Sequence, residues 1–286
     1  MLKDTGCSYH MYADDVQIYI SLGQEEDDDD VNTLEKCVAM VNQWMTENFL
    51  QLNASKTEAV LVAKCPAKLR LNICGKEIQT TDSVKSLGVI LDSKLTLETH
   101  VNNVCRGAYY HLRNIARIRK CLDTSTLRLI VHSLVTTRLD FSNGILIGLP
   151  QRLIDKMQKV QNSAARLILN KRKFEHVTPL LKQLHWLPIR ERIKYKIIYL
   201  TFKSLKGQSP QYLADMLKSY TPVRKLRSSS KNLLQIPNVK LKMTERAFSV
   251  AAPILWNSIS DELRQITSTD NFRRQLKTYL FKEAFK

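Results

Sequence analysis

The sequence predicts an α+β fold, with a mixed α and β region up to residue 92 and a mainly helical remainder. Before residue 92, short runs rich in Tyr, Val and Ile alternate with turn residues, whereas beyond it apolar residues recur at helical spacing. The charge divides in a similar way. Residues 1–110 hold 10 basic and 16 acidic residues, a net charge of −6, and residues 111–286 hold 34 and 11, a net charge of +23. A basic excess of this size favours a polyanionic partner, either nucleic acid or an anionic membrane surface.

The first region begins with a predicted β-hairpin over residues 7–22, because two β-rich runs flank Ala13-Asp14-Asp15 at its tip. The acidic run 25–30 predicts a solvated loop that leads into an amphipathic helix over 31–49. A buried strand is expected over 59–63. The remaining predictions are a second hairpin over 69–79, turning at Gly75-Lys76, and a further strand over 84–92.

Helices account for the rest of the chain. A long helix is predicted from residue 97 to about 118, Asp123 is expected to cap the next helix, and a Gly/Pro break follows over 143–150. The remaining predictions are a helix over 151–170, a helix after Pro188 stopped by Gly207, a restart at Ser209-Pro210, a basic Ser-rich linker over 221–232, and helices over 244–259, interrupted near Pro253, and 270–285.

The cysteine pattern and the lengths of the apolar stretches disfavour zinc modules and membrane-spanning proteins. The six cysteines are scattered, with no Cys-x-x-Cys pair, which disfavours a zinc module. No stretch approaches the roughly 18 apolar residues of a membrane-spanning helix. We therefore expect an intracellular, reducing location, not secretion, with buried free thiols.

The clearest chemistry lies in Tyr12-Ala13-Asp14-Asp15. Adjacent carboxylates at a turn repel each other, and a divalent metal would supply the partner charge. Hard oxygen ligands suit Mg²⁺, and a paired-metal site stabilises both the attacking and the leaving oxygen in phosphoryl transfer. On these four residues alone, a simple solvent-exposed turn is the competing interpretation.

The wider order of motifs adds a resemblance. The Tyr-Ala-Asp-Asp hairpin, the segment Asn53-Ala-Ser-Lys56-Thr57-Glu58 and the segment Lys85-Ser-Leu-Gly-Val89 together resemble the palm of reverse transcriptases from LINE-type, non-LTR retrotransposons, especially the jockey-like group. The resemblance continues through Phe141-Ser-Asn-Gly144, Val160-Gln-Asn-Ser-Ala-Ala-Arg166, Leu184-His-Trp-Leu-Pro188 and Arg246-Ala-Phe-Ser-Val-Ala-Ala-Pro-Ile-Leu-Trp-Asn257. It implies a partial palm over residues 1–95, a thumb-like helical region over 96–175 and a helical C-terminal region over 176–286.

Residue roles follow from the resemblance. It implies that Asp14 and Asp15 are catalytic and bind the metal, with Asp14 the more direct ligand. Tyr12 matches a residue close to the primer end, although a strand-pairing aromatic is an equally good interpretation. Lys56 matches a lysine near the incoming nucleotide, where it could neutralise or protonate the leaving pyrophosphate; the alternative is an ordinary loop lysine.

The nucleic-acid contacts implied by the resemblance lie further along the chain. Leu87 and Gly88 fall in a strand that resembles the primer grip, where a residue without Cβ admits a nucleic-acid backbone; a β-bulge is the alternative. The basic residues of the thumb-like region would lie along the template–primer phosphates, and they are Arg113, Arg117, Arg119, Lys120, Lys171, Arg172 and Lys173.

The implied parent enzyme is an RNA-directed DNA polymerase that uses Mg²⁺ or Mn²⁺, an RNA template, a DNA primer and deoxynucleotides, in a nuclear or cytoplasmic ribonucleoprotein. One departure counts against activity. The family pattern places a third metal-binding aspartate and the fingers well upstream, but only eleven residues precede Tyr12. The endonuclease and zinc knuckle of such elements are absent as well. We therefore expect a C-terminal fragment with an incomplete site, inactive on its own.

Two other functions compete with this one. The chain could act only as a non-catalytic, basic helical nucleic-acid-binding protein, which the charge of +23 after residue 110 favours. It could also be a structural or protein-interaction domain whose charges form a solvated face. Membrane-surface association ranks below both, because the basic helices carry ordinary core faces, and the oligomeric state is left open.

Overall fold

The computed structural model describes residues 6–23, 28–53, 55–62, 69–221, 232–241 and 243–286, with the backbone alone at Asp28. The chain divides into two compact units, Met1–His100 and Val101–Lys286. We refer to them as the hairpin unit and the helical unit. The predicted acidic loop over 25–30 and the predicted linker over 221–232 fall largely outside the described residues.

The hairpin unit is built from short antiparallel strand pairs and one long helix. Its described elements are β1 (Ser8–Tyr12), β2 (Asp15–Tyr19), α1 (Asp28–Glu47), β3 (Arg70–Ile73), β4 (Lys76–Gln79), β5 (Ser83–Ser86) and β6 (Val89–Asp92). The strands pair as three separate two-stranded sheets, β1 with β2, β3 with β4 and β5 with β6. The predicted first hairpin and the predicted helix over 31–49 are therefore confirmed.

Two of the hairpins turn on residue pairs in the left-handed backbone region. Cys74 and Gly75 have φ of 54° and 78°, and Leu87 and Gly88 have φ of 45° and 81°. Positive φ at both central residues is what a type I′ turn requires, and its twist matches that of the flanking strands. The second hairpin thus turns one residue earlier than predicted. The single strand predicted over 84–92 is wrong, because this turn folds it into β5 and β6.

The core of the hairpin unit is small. Helix α1 packs against β2 and β3, and the backbone N–H of Asn72 donates to Glu35 Oε1 at 2.5 Å. The buried strand predicted over 59–63 is not formed in its described part: Val60 makes one isolated parallel bridge to Thr81, and Val62 is half exposed. A single bridge leaves this segment without the ladder of hydrogen bonds that a strand needs.

The helical unit is reached through α2 (Glu98–Ile118), which begins in the hairpin unit. Its further described α-helices are α3 (Thr124–Val131), α4 (Thr137–Asp140), α5 (Gln151–Ile168), α6 (Thr178–Gln183), α7 (Ile189–Leu205), α8 (Gln211–Asp215), α9 (Phe248–Ser258), α10 (Asp261–Arg264) and α11 (Thr269–Ala284). A π-helical segment, His132–Thr136, joins α3 to α4. Among the described residues, no helix is long and apolar enough to cross a membrane.

Several helix ends test the sequence predictions directly. Asp123 caps α3 as predicted, because its carboxylate accepts from the backbone N–H groups of Ser125 at 2.8 Å and Thr126 at 3.0 Å. The restart predicted at Ser209-Pro210 begins one residue later, since Pro210 occupies the N-cap position and α8 starts at Gln211. The interruption predicted near Pro253 is wrong. Helix α9 runs through Pro253, which lacks a backbone N–H for the helical ladder and is buried, as are Val250 and Trp256.

The core of the helical unit is large and partly aromatic. Phe202 of α7 stacks on Phe272 of α11 with ring centroids 4.0 Å apart, and Trp256 of α9 packs against the same ring at 6.0 Å. The indole N–H of Trp256 donates to the backbone carbonyl of Asn232 at 2.8 Å. Helices α7, α9 and α11 therefore form one tightly packed centre.

The expectation of buried thiols holds only in part. Among the described residues, Cys37 and Cys105 are buried, Cys7 is half-buried, and Cys74 and Cys121 are exposed, all as free thiols. Cys74 is exposed because it occupies a turn position.

Candidate active site and nucleic-acid interface

The two adjacent carboxylates lie at the tip of the first hairpin. Tyr12 pairs with Asp15 as the last pair of the β1–β2 ladder, which leaves Ala13 and Asp14 as the central residues of the turn. Ala13 has a φ of 54°, a left-handed conformation that alanine adopts at a cost. The side chains of Tyr12, Asp14 and Asp15 are all exposed. The local sequence thus places both carboxylates in water.

The opposite end of this hairpin is fixed to α1. Cys7, Tyr9 and Ile18 pack against the buried Cys37 and Val41 of the helix. Burial raises the pKa of the Cys7 thiol to about 11, and the neighbouring Cys37 contributes to the shift, so the thiol is protonated at neutral pH. These contacts with α1 lie at the open end of the hairpin, so the turn that carries Asp14 and Asp15 lies away from the part that α1 supports.

The predicted Lys56 site is a separate, well-built turn. The side-chain oxygen of Asn53 accepts from the backbone N–H of Ser55 at 3.1 Å and from its hydroxyl at 2.6 Å, and the Lys56 N–H donates to the Asn53 carbonyl at 3.0 Å. Lys56 itself is exposed. Within the described residues, no hydrogen bond or ion pair joins Lys56 to Asp14 or Asp15.

The Leu87-Gly88 turn is connected to the first hairpin, formed by β1 and β2. The side-chain amide of Gln17, two residues beyond Asp15, donates a hydrogen bond to the hydroxyl of Ser86. Ser86 directly precedes the turn, and both turn residues are exposed. The structure therefore joins the strand after the carboxylate turn to the third hairpin. The glycine at position 88 is explained by its φ of 81°, and the β-bulge interpretation is replaced by a tight turn.

The donor set of the turn suits a hard divalent cation. Two exposed carboxylates offer oxygen ligands and leave room for the several waters that Mg²⁺ retains. Over the described part of the chain, no three His, Cys, Asp or Glu side chains come together as a metal site. In this part of the chain Asp14 and Asp15 therefore offer two neighbouring carboxylates, both from one turn.

A basic face runs along α2 in the helical unit. Arg106, Tyr110, Arg113 and Arg117 recur at spacings of four, three and four, which places them on one side of the helix over about 16 Å. All four side chains are exposed, and Tyr110 is 56% exposed. The helix carries no acidic residue after Glu98. We call Arg106, Tyr110, Arg113 and Arg117 the α2 face.

The other predicted basic residues differ in their surroundings. Arg119 is half-buried, and its Nε donates to the carbonyl of Leu167 at 2.9 Å near the end of α5, so it has a structural partner, whereas Lys120 is exposed. Lys171, Arg172 and Lys173 are exposed in the loop after α5, where the Lys171 ammonium lies 3.2 Å from the Glu175 carboxylate.

The motifs of the helical unit that carry the resemblance act here as internal supports. The buried side-chain amide of Gln161 donates to the Leu187 carbonyl at 2.9 Å, joining two of those motifs. Asn257 donates its side-chain amide to the Leu234 carbonyl at 2.8 Å and accepts from the Leu234 N–H at 2.9 Å. Sequence alone does not separate such supports from a binding site. Arg106 and Tyr110, by contrast, were absent from the predicted set, although their helical spacing with Arg113 would have indicated them.

A comparison with known families gives a match within the hairpin unit. Residues 1–91 match the family model of the reverse transcriptase (RNA-dependent DNA polymerase), a match over 91 of the 286 residues. The matched segment contains the carboxylate turn, Lys56 and the Leu87-Gly88 turn. No curated protein and no solved structure matches the chain. The match supports a reverse transcriptase function for this region.

Proposed function

We propose that the chain comes from the reverse transcriptase of a LINE-type, non-LTR retrotransposon of the jockey-like group. The observation that carries the proposal is the pair Asp14 and Asp15 at the exposed tip of a hairpin inside the segment that matches the reverse transcriptase family. The ordered motifs beyond residue 100 support the LINE-type assignment through their resemblance to that group. The substrates are then an RNA template, a DNA primer and deoxynucleotides.

In this proposal Asp14 and Asp15 bind Mg²⁺ or Mn²⁺ through their carboxylate oxygens. A bound divalent cation supplies electrostatic stabilisation to the oxygens that attack and leave during nucleotidyl transfer. Lys56 contributes a positive charge for the leaving pyrophosphate from its own turn. Tyr12, on the strand that ends at the carboxylates, and the exposed Leu87-Gly88 turn lie on the primer side.

The helical unit would hold the nucleic-acid backbone. Arg113 and Arg117 are exposed on the α2 face, and Lys120, Lys171, Arg172 and Lys173 are exposed further along the chain. Contacts of this kind to phosphates are independent of sequence and weaken with salt, because binding releases condensed counterions. Arg119 contributes less to binding in this account, since its guanidinium already serves α5.

The metal centre of this chain is proposed to be incomplete. A paired-metal site holds two cations about 4 Å apart. Among the described residues, Asp14 and Asp15 come from a single turn, and no third His, Cys, Asp or Glu side chain joins them. We therefore expect the 286-residue chain to bind a divalent cation weakly and to lack polymerase activity by itself.

Two measurements on the full chain test these statements. Mn²⁺ binding, followed by electron paramagnetic resonance, should be weakened by Asp14→Asn and unchanged by Asp82→Asn, which alters an exposed carboxylate away from the turn. Primer extension on an RNA template with Mg²⁺ or Mn²⁺ should yield no product above background. Robust synthesis that Asp14→Asn abolishes would overturn the incomplete centre, and Mn²⁺ binding insensitive to Asp14→Asn would overturn the metal site.

One observation favours a second candidate function, a non-catalytic nucleic-acid-binding protein. The α2 face presents three guanidinium groups and an aromatic ring to solvent, which is enough for a salt-dependent grip without any metal chemistry. Mn²⁺ binding discriminates between the two, because only the first function requires Asp14 and Asp15.

A further inference from the structure

The loop that follows α5 carries an aromatic ring at an unusual position. The backbone N–H of Glu175 donates to the Arg172 carbonyl at 3.2 Å, which makes Lys173 and Phe174 the central residues of a turn. Gly, Pro, Asn, Asp and Ser dominate such positions. Phe174 is nonetheless 91% exposed, so its ring contributes almost nothing to the core of the helical unit.

Glu175 holds this turn in shape. Its carboxylate accepts from the backbone N–H of Arg172 at 2.8 Å and pairs with the Lys171 ammonium at 3.2 Å. These contacts hold the pKa of Glu175 below its usual range. The Glu175 carbonyl also accepts from the Arg166 guanidinium at 2.9 Å, which ties the turn to α5. Phe174 is therefore exposed in a turn whose conformation is held by hydrogen bonds and an ion pair.

The surroundings of the ring are cationic. Lys171, Arg172 and Lys173 precede Phe174 directly, and the Lys173 ammonium lies 6.0 Å from the centre of its ring. A flat apolar surface beside three basic side chains, one of them paired with Glu175, complements a ligand that has both a flat unstacked ring and a negative backbone. Single-stranded nucleic acid has this combination, whereas a duplex keeps its bases stacked inside.

We propose that Phe174 is a stacking platform for an unpaired base of single-stranded nucleic acid, with Lys171, Arg172 and Lys173 contacting the adjacent phosphates. The inference rests on the nucleic-acid-binding role proposed for the helical unit and assigns to it a preference for unpaired strands. An anionic membrane is the other surface that a basic loop with an exposed ring could meet. The charge of +23 over residues 111–286 suits either polyanion, and the reverse transcriptase family match of residues 1–91 favours nucleic acid.

The test compares full-length variants by fluorescence anisotropy with labelled oligothymidylate and with a duplex of equal length. Phe174→Ala should weaken oligothymidylate binding by about 5- to 150-fold, as expected for the loss of one base–aromatic stack, and should change duplex binding by about twofold at most. Phe174→Tyr should restore binding. The matched control is Phe141→Ala, because Phe141 is also exposed but has no run of basic neighbours.

Each outcome separates this inference from the proposed function. Equal affinity of the wild-type protein and Phe174→Ala for oligothymidylate would overturn the stacking platform and leave the α2 face untouched. Absence of any nucleic-acid binding by the wild-type protein at low salt would overturn both. If Phe174→Ala weakened binding to phosphatidylserine vesicles but not to oligothymidylate, the loop would be a membrane contact and the inference would be wrong.

Discussion

The two units of this chain differ in how they support their functional residues. In the hairpin unit, the strands around the carboxylate turn leave Met11, Tyr12 and Tyr19 more than half exposed, and α1 leaves Trp44 46% exposed. In the helical unit, by contrast, Phe202, Trp256 and Phe272 are buried together in one hydrophobic cluster. The acidic turn of Asp14 and Asp15 therefore rests on few packing contacts, whereas the basic residues of the helical unit belong to a densely packed set of helices.

The largest expected effect is the difference in unfolding free energy lost when Trp256 or Trp44 is replaced by alanine. Trp256→Ala should lower the free energy of unfolding by about 3–5 kcal/mol, because it empties a buried aromatic site and removes an indole hydrogen bond. Trp44→Ala should cost at most about 1 kcal/mol, since that side chain is nearly half exposed. Urea denaturation followed by circular dichroism measures both losses. Equal losses would mean that the hairpin unit is packed as tightly as the helical unit.

The third hairpin offers a smaller test of how the hairpin unit is held. Gly88→Ala should destabilise the protein by about 1 kcal/mol, because a Cβ at a φ of 81° is strained. Leu87→Asn should have the opposite sign, since Asn-Gly is the preferred pair for this kind of turn. The urea denaturation midpoints of the two variants, compared with that of the wild-type protein, measure both changes in stability. A neutral Gly88→Ala would remove the conformational reason for glycine and favour the role predicted from the primer-grip resemblance.

The smallest effect concerns pH. His100 is buried, and burial holds its pKa below the ordinary value of 6.5, while its Nδ1 faces the backbone N–H of Ile90 at 3.4 Å. The unfolded chain therefore takes up a proton that the folded chain resists. As the pH falls below about 6.5, the free energy of unfolding should decrease, and the full contribution is present above that value.

His100→Gln should remove this part of the pH dependence, because glutamine does not titrate. Denaturation midpoints measured between about pH 7.5 and 5.5 provide the comparison. An unchanged slope in the variant would show that another group is responsible.

Local patterns in the sequence were sufficient for much of the fold. The alternation around Ala13-Asp14-Asp15 predicted the hairpin, the three-four spacing predicted α1, and the side chain of Asp123 predicted a helix cap. Each of these signals acts over a few residues. The turn at Leu87-Gly88 cannot be predicted in this way, because leucine does not indicate a left-handed position. Only the backbone shows that both residues adopt positive φ.

Long-range contacts explain the remaining misses. The segment 59–63 is apolar enough for a strand, but its described part finds only one bridge partner, at Thr81. Gln161 and Leu187 lie 26 residues apart, and their hydrogen bond is not visible in either motif. For the candidate site, the sequence predicts Asp14, Asp15 and the basic residues, and the helical spacing on α2 also indicates Arg106 and Tyr110. Only the exposure of its side chain singles out Phe174.

The most direct test of the account is the salt dependence of RNA binding by the full chain. In the wild-type protein, log K should fall linearly with log salt concentration. The double variant Arg113→Gln/Arg117→Gln should lower the slope by about two, because each lost phosphate contact removes about one unit. Asp14→Asn/Asp15→Asn should not lower it. Salt-independent binding, or equal slopes for the wild-type protein and the arginine variant, would contradict the assignment of the α2 face to the nucleic-acid backbone.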